Sequence, residues 1–461
     1  MLAFQRYGEP LKYEGRSESL FHLYRMRTAQ CLLSGDVAKC LPYTVKTLRF
    51  NATAELNRKD DNRRGLWIMT GVVVRAAINM GYHHDPAGCP GISALQEEYR
   101  RRVWLSVTSM DDIASFLGAF PRTISATFSD TMEPRNLHDW ELSEDATVLP
   151  PSRPLTEPTP VTYLIVKGRL FRELGRIADV NGAPGLGSYA TVLEIDRALH
   201  DVYEKFPPHM KVPHAGGGAR TAADFSNLSL LGMYHKGMCT LHRRFLAKNR
   251  EDYRFRFSRD RCLSSALALL ASQDGLAPSF YTLSQTRQML TLAAMVLFLE
   301  LELRRKFPGT DETPATRVLL DAVEKSCTRW AEVMGACDEA WKFHQFLAGM
   351  LSSFRDGTGS KTECSQTASP EPPFEPARFS PLFDAANGGF SSDDDSANVY
   401  FDWVCFLPSR MQGTYPRADD HRLHGIPSSQ RRTIKSVLYT RTPVYIQRES
   451  GNIKKHTEVG T

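Results

Sequence analysis

The sequence predicts an all-α protein: a large multi-helix array forming one domain, followed by a disordered C-terminal tail. Three observations predict it. Apolar residues recur at three- and four-residue spacing through most of the first 355 residues. Alternating apolar and polar runs are scarce, so a substantial sheet is not expected. After residue 355 the composition turns to Ser, Thr, Pro, Gly and acidic groups, which bury too little apolar surface to offset the entropy of ordering.

The elements come in this order. Residues 64–80 place Trp67, Val74 and Ile78 on one face with Gly71 between them, and Gly81 stops the helix. Residues 96–118 repeat the pattern through Val103, Val107, Met110, Ala114 and Leu117, with an acidic start that suits the positive end of a helix dipole. Residues 119–160, rich in proline and polar groups, read as a long loop, ordered or partly mobile. Helices are expected over 161–180 and 188–205, split by the turn-forming NGAPGLG at 181–187, and then over 224–248, 259–272, 282–306 and 316–354. Residues 356–400, with SSDDDS at 391–396, read as a disordered acidic linker. Residues 401–461 form a basic, proline-dotted tail without helical periodicity. No internal repeat stands out.

Bulk properties set limits. Of 461 residues, 42% are hydrophobic and 24% charged, enough for a sizeable core. The net charge of +5 is too small to name a nucleic-acid partner, and it is concentrated: residues 406–461 carry ten Lys/Arg against four Asp/Glu. The nine cysteines form no C-x-x-C pair, so neither a zinc site nor a disulfide framework is signalled. Cys239 and Cys262 read as small buried hydrophobes in a reducing compartment. The N-terminus lacks a signal-peptide pattern and no window suits a membrane span, so the chain reads as soluble and intracellular.

Each candidate for chemistry has a plainer structural reading. In GYHHDP, residues 81–86, the adjacent His83 and His84 diverge in most conformations, whereas helical metal pairs favour i, i+4 spacing. The histidines come directly after a helix end, where imidazole satisfies free carbonyls, and Asp85 before Pro86 starts a turn; this reading is preferred to a metal or acid/base site. Arg100, Arg101 and Arg102 fan around a helix instead of forming one flat patch. Pairs Glu97–Arg101 and Glu98–Arg102 then make a solvated, helix-supporting face. Asp111 and Asp112 read as helix-surface or capping groups for the 119–125 loop in preference to a glycosidase-like or metal-binding pair. No G-x-S-x-G, P-loop or H-E-x-x-H occurs, and GLG at 185–187 is too little for a phosphate loop. RRTIK at 431–435 reads as solvated tail in preference to a nuclear-import or nucleic-acid patch.

The same segments resemble, in order, the signature of the fungal-specific transcription factor regulatory domain, the middle homology region of the fungal zinc-cluster (binuclear six-cysteine) transcription factors. RRGLWIMTGVVVRAAINMGYHHDP carries Trp67, Gly71, Arg75, Ala77, Gly81, Tyr82, His83, Asp85 and Pro86 at the family's positions, with His84 where Arg is usual. EEYRRRVWLSVTSMDDIASFLGAFPRTIS matches through Arg101, Arg102, Trp104, Asp111, Gly118 and Pro121, although the usual Arg of its final turn is absent. DTMEPRNLHDWEL resembles the next, acidic loop through Pro134, Asn136 and Asp139. LHRRFLAKNREDYRFRFSRDRCLSSALALL resembles a second block through Leu241, His242, Arg243, Phe245, Arg261 and Cys262, with Arg244 where Pro is common.

The resemblance is best over 60–275 and implies one regulatory domain over 1–355. It implies an architectural role for these residues, with no catalytic, cofactor or metal residue in this chain. Full-length members open with a six-cysteine domain holding two zinc ions. Cys31 and Cys40 are the only cysteines before Cys89 and cannot build it, so zinc and DNA contact are expected only from a separate N-terminal domain. The resemblance therefore implies a transcriptional regulator in the nucleus. Its implied partners are the transcription machinery, a homo- or heterodimeric zinc-cluster factor and a small-molecule effector; no membrane is implied. The helices would shift between arrangements and expose or mask an activating segment, best placed at 388–403. The alternatives are a non-DNA-binding adaptor that titrates related factors and, behind it, an enzyme using His83, His235, His242 or the Asp111/Asp112 pair.

Overall fold

The structure is a computed structural model. It describes residues 15–359, apart from 59–61, 88, 184–187, 212–221, 277–279, 282, 309–312 and 336–337. The acidic linker from 360 onward, the basic tail and the 388–403 segment lie outside the described residues.

Among the described residues every regular element is helical. In chain order these are α1 (Ser17–Ser34), α2 (Thr44–Leu56), α3 (Arg63–Asn79), α4 (Ala94–Gly118), α5 (Thr162–Gly182), α6 (Tyr189–Glu204), the single turn α7 (Pro208–Lys211), α8 (Ala222–His242), α9 (Arg256–Ala271), α10 (Ser284–Lys306), α11 (Thr316–Val333) and α12 (Asp338–Gly359). Short 3-10 turns fill several of the connections.

The helices form where local signals and periodicity agree. Ser93 and Gln96 build a reciprocal capping box at the start of α4: the Gln96 amide donates to Ser93 Oγ and the Ser93 amide to Gln96 Oε1, 3.3 Å each. In α11 the buried residues Leu319, Val323, Ser326, Trp330 and Val333 fall on one stripe at helical spacing. The buried face of α3 is centred on Leu66, Val73, Val74 and Ala77, and Trp67 sits at its margin. Burying each such aliphatic side chain contributes about 1.5–3 kcal/mol.

Sequential neighbours pack on one another: α1 on α2, α2 on α3, α3 on α4, and α4 most extensively on α5. α8 is the hub of the second half, touching α5, α6, α9 and α10, and α10 leads on to α11 and α12. One continuous apolar core runs from Leu32 to Phe354. Glycine permits the close approach at the hub: a Cβ on Gly237 of α8 would lie 2.5 Å from Leu174 Cδ2 of α5.

Three expectations need correction. The helix expected over 224–248 ends at His242, and 3-10 turns occupy 243–245 and 248–250. The helix expected over 316–354 is two, α11 and α12. Helices α1 and α2, unassigned from sequence, precede the first motif; α1 buries little beyond Leu32, and half of the buried stripe of α2 is polar, through Thr44, Asn51 and Glu55. The 119–160 connection is ordered throughout, held by side-chain bonds from α3, α4 and α5. Cys239 and Cys262 are both fully buried.

Candidate functional site

The first three motif blocks converge on one clamp between α3, α4 and the 129–160 loop. Gly81 ends α3 in the left-handed region, φ +68°, where a side chain would be strained. Arg100 caps the same end, its Nη2 donating to the Met80 carbonyl at 2.8 Å while its guanidinium lies 4.4 Å from the Tyr82 ring centre. The chain then turns so that Asp85 faces α4. Its carboxylate accepts Arg101 Nε at 2.9 Å and Nη2 at 2.6 Å, the Met132 amide at 2.8 Å and the Ala87 amide at 3.0 Å. The Arg101 guanidinium holds the Asp85 carboxyl at about 2, below the ordinary 3.8. Pro86 is buried beside it.

Neighbouring bonds extend the clamp. The Asp85 amide donates to Asp130 Oδ1 at 3.0 Å, and Ser129 Oγ donates to the His83 carbonyl at 2.9 Å. Trp104, 5% exposed, donates from Nε1 to Ser129 Oγ at 2.9 Å. His83 and His84 do not diverge as expected: their rings lie 3.9 Å apart. It is Arg100, not an imidazole, that takes the Met80 carbonyl, and His84 reaches Asp130 at the surface.

The solvated charge face expected on α4 is corrected. Glu98 is fully buried and Arg101 nearly so, because both point into the interface with the loop and not outward. Glu98 does pair with Arg102, at 3.0 Å, and Arg102 also reaches Asp139 at 3.1 Å. Arg101, however, engages Asp85 across the turn instead of bonding along its own helix. Asn136 is buried with all four side-chain bonds made. Its Nδ2 donates to the carbonyls of Pro154 and Glu157 at 3.0 Å each, and its Oδ1 accepts the hydroxyls of Thr159 and Thr162 at 2.7 and 2.8 Å. Pro134 is buried just ahead of it.

At the far end of α4 the other blocks meet. Trp67 stacks on Phe120 at 4.8 Å and donates to the Pro121 carbonyl at 2.9 Å; Phe120 folds back over Gly118. Arg75 donates to the Gly71 carbonyl at 3.3 Å within α3. Asp111 and Asp112 are buried, not on the helix surface, although they do hold the next loop. Asp111 Oδ2 accepts the Ile124 amide at 2.8 Å, and Asp112 pairs with Arg122 at 3.0 Å. Burial pushes Asp112 up to about 7. Arg122 also grips Asp179 of α5 at 2.8 Å from Nε, so a guanidinium near the missing motif arginine ties α4 to α5.

The second block lies elsewhere, between α6, α8 and α9. His242 is fully buried. Its Nε2 is 3.0 Å from Asp196 Oδ1 and its Nδ1 is 2.9 Å from Ser258 Oγ. Arg261 holds Asp196 from the other side, at 2.9 and 3.2 Å. Hydroxyl, imidazole and carboxylate are thus in series, as in a nucleophilic relay. Yet Ser258 is fully buried, Asp196 is neutralised by Arg261, and burial lowers the His242 pKa. Leu241, Phe245 and Cys262 pack into the core around this network, with Arg243 alongside. Two cavities, of about 250 and 20 Å³, are lined by none of His83, His235, His242, Asp111 or Asp112. Among the described residues no group of three or more His, Cys, Asp or Glu is placed to hold a metal ion, and no helix is long and apolar enough to cross a membrane.

Sequence reasoning missed the partners that complete these networks: Asp130, Arg122, Asp196, Ser258 and the buried Glu300. The last accepts Arg250, Arg259 and Arg304 on one oxygen at 2.7–3.0 Å. Most lie tens of residues from the groups they bind, and no local spacing signals them.

Comparison with known proteins gives this architecture its context. A Zn(2)-C6 fungal-type transcription factor, pigI of Monascus ruber, is 34% identical over 345 residues, covering 70% of this chain and 42% of the relative. Zn(2)-C6 factor mpsB of Macrophomina phaseolina is 31% identical over 56% of this chain and 35% of the relative. The equisetin cluster transcription factor eqxF of Fusarium heterosporum is 29% identical over 74% and 51% respectively. These relatives are fungal transcription factors. The matched stretch spans between about a third and a half of each of them. No family model matches the chain, and no solved structure does.

Proposed function

We propose that this chain is the regulatory part of a fungal transcriptional regulator acting in the nucleus. The observation that supports it most is the series of relatives, each named as a transcription factor, aligned over more than half of the chain. The structure supports the signalling reading in kind. Its most elaborate polar constellations are enclosed networks, and three of them tie several elements through one carboxylate, Asp85, Asp196 or Glu300. Moving one element breaks charge-assisted bonds as a set, which favours discrete arrangements over graded ones. In this reading the motif residues are joints of the array. DNA contact, and the zinc it requires, come through a cluster domain of the kind that names the relatives. The name of the equisetin cluster transcription factor extends the proposal to control of such a cluster. A zinc-cluster factor as dimer partner and the transcription machinery belong to the same proposal.

The test is a reporter assay in a filamentous fungus, with residues 1–461 fused to a heterologous DNA-binding domain. A change in reporter output is expected, and a fusion of residues 380–405 alone is expected to activate. A stable, nuclear full-length fusion that leaves output unchanged would sink the proposal. If it instead lowers the output of a co-expressed zinc-cluster relative, the adaptor reading replaces it.

A further inference from the structure

The larger cavity, of about 250 Å³, lies between α5, the C-terminal end of α6 and the 129–160 loop. Its floor is apolar: Val166 of α5, Val202 and Phe206 at the end of α6, and Leu155 from the loop. The loop wall is fixed from both sides by Asp85 and Asn136. The Met132 amide is bonded to Asp85 immediately before Glu133, and the Pro154 carbonyl accepts Asn136 immediately before Leu155.

The charges around this floor are unequally committed. Glu133 accepts Arg169 in a two-pronged pair at 2.9 and 2.6 Å. Glu173 pairs with Arg176 at 2.9 Å. Both lining carboxylates are thus neutralised, and Arg169 is already paired. Arg172 of α5 and Lys205, one residue past α6, also line the cavity. Arg172 acts on Asp112 at longer range, but among the described residues neither side chain donates a hydrogen bond or joins an ion pair within 4 Å. An apolar floor with two cations that lack a close side-chain partner fits one chemistry: a compact hydrophobic body carrying an acidic group. A neutral molecule would leave both cations unused, and a cation would be repelled. A nucleotide needs polar partners for its base and sugar that this floor does not offer. The volume is below the usual ~300–1,000 Å³ of drug-sized sites, so it suits a small ligand or one end of a longer one.

We propose that this cavity binds a small amphipathic organic anion, a carboxylate or an acidic enol, with Arg172 and Lys205 receiving the charge. Such a ligand would bridge α5, α6 and the loop that Asp85 and Asn136 anchor, the elements through which the array would sense it. The binding itself does not depend on the transcriptional reading, which supplies only its consequence.

Calorimetry on the full-length protein tests it, with decanoate as probe and decanol as its uncharged match. Decanoate is expected to bind at one site per chain. The exposed double variant Arg172→Ala/Lys205→Ala should bind it about ten-fold more weakly, while the weaker decanol binding stays the same. Circular dichroism checks that the variant is folded. The proposal is overturned if decanoate does not bind, if decanol binds as well, or if the folded double variant binds decanoate unchanged. The assay is blind to transcription, so a silent reporter with positive binding sinks the regulatory reading alone, and the reverse result sinks this one.

Discussion

Replacing Asp85 by Ala removes the acceptor of four hydrogen bonds at once: two from Arg101, one from Met132 and one from Ala87. The side chains of Asp85 and Arg101 are only 13% and 6% exposed, so the guanidinium is left enclosed and unpaired on that side. Breaking such a pair by deleting one partner costs about 3–5 kcal/mol, less whatever water recovers at the open edge. Arg101→Met in the same chain should restore about 1–2 kcal/mol of that loss, because no orphan charge remains. The Asp85 ionisation also predicts a pH window. Its folded pKa is depressed from 3.8 to about 2, so its contribution is full above pH 3.8 and is lost as pH falls toward 2. Urea denaturation followed by circular dichroism gives the stability, and hydrogen exchange at the Met132 amide reports the local opening. If Asp85→Ala lies within about 0.5 kcal/mol of the parent and Met132 stays protected, the clamp does not do what its geometry implies.

Asn136→Ala should cost about 3 kcal/mol or more, since two carbonyls and two hydroxyls lose a buried partner; limited proteolysis should then cut within 134–160, and an uncut loop argues against the reasoning. Glu300→Gln leaves three guanidinium groups around a neutral amide and should destabilise by about 3–5 kcal/mol, whereas an unchanged or raised melting temperature would contradict it. Burial lowers His235 from 6.5 to about 4, so the unfolded chain binds the extra proton between those values and stability falls as pH drops through that range. In His235→Leu the loss of stability between pH 7 and 5 should be smaller, and an identical pH profile would remove His235 as its source.

The motif-bearing helices were legible because their signals are local. Gly81 marks an end, the apolar stripe of α4 marks a buried face, and the scarcity of alternating runs marks the lack of a sheet among the described residues. The misread elements fail for a physical reason too. α1 buries little beyond Leu32, half of the buried stripe of α2 is polar (Thr44, Asn51, Glu55), and the tight turns after His242 continue a helical pattern that their backbone abandons. On α4, the i, i+4 geometry of Glu97 and Arg101 describes an isolated helix. Packed against the 81–87 turn, Arg101 finds a better acceptor in Asp85, enclosed and bidentate.

From its sequence alone this chain could be read as helical, with no local catalytic or metal-binding motif, and as kin to fungal regulators, since periodicity, composition and short motifs are all written within a few turns of chain. Only the tertiary structure decided where the charges go. The pairs Asp112–Arg122, His242–Asp196 and Arg259–Glu300 join groups 10, 46 and 41 residues apart. It also decided that Arg172 and Lys205 flank a cavity with an apolar floor. Charge pairing inside a fold is set by which faces the packing brings together, and a carboxylate's local neighbours carry no trace of the partner that burial will impose on it.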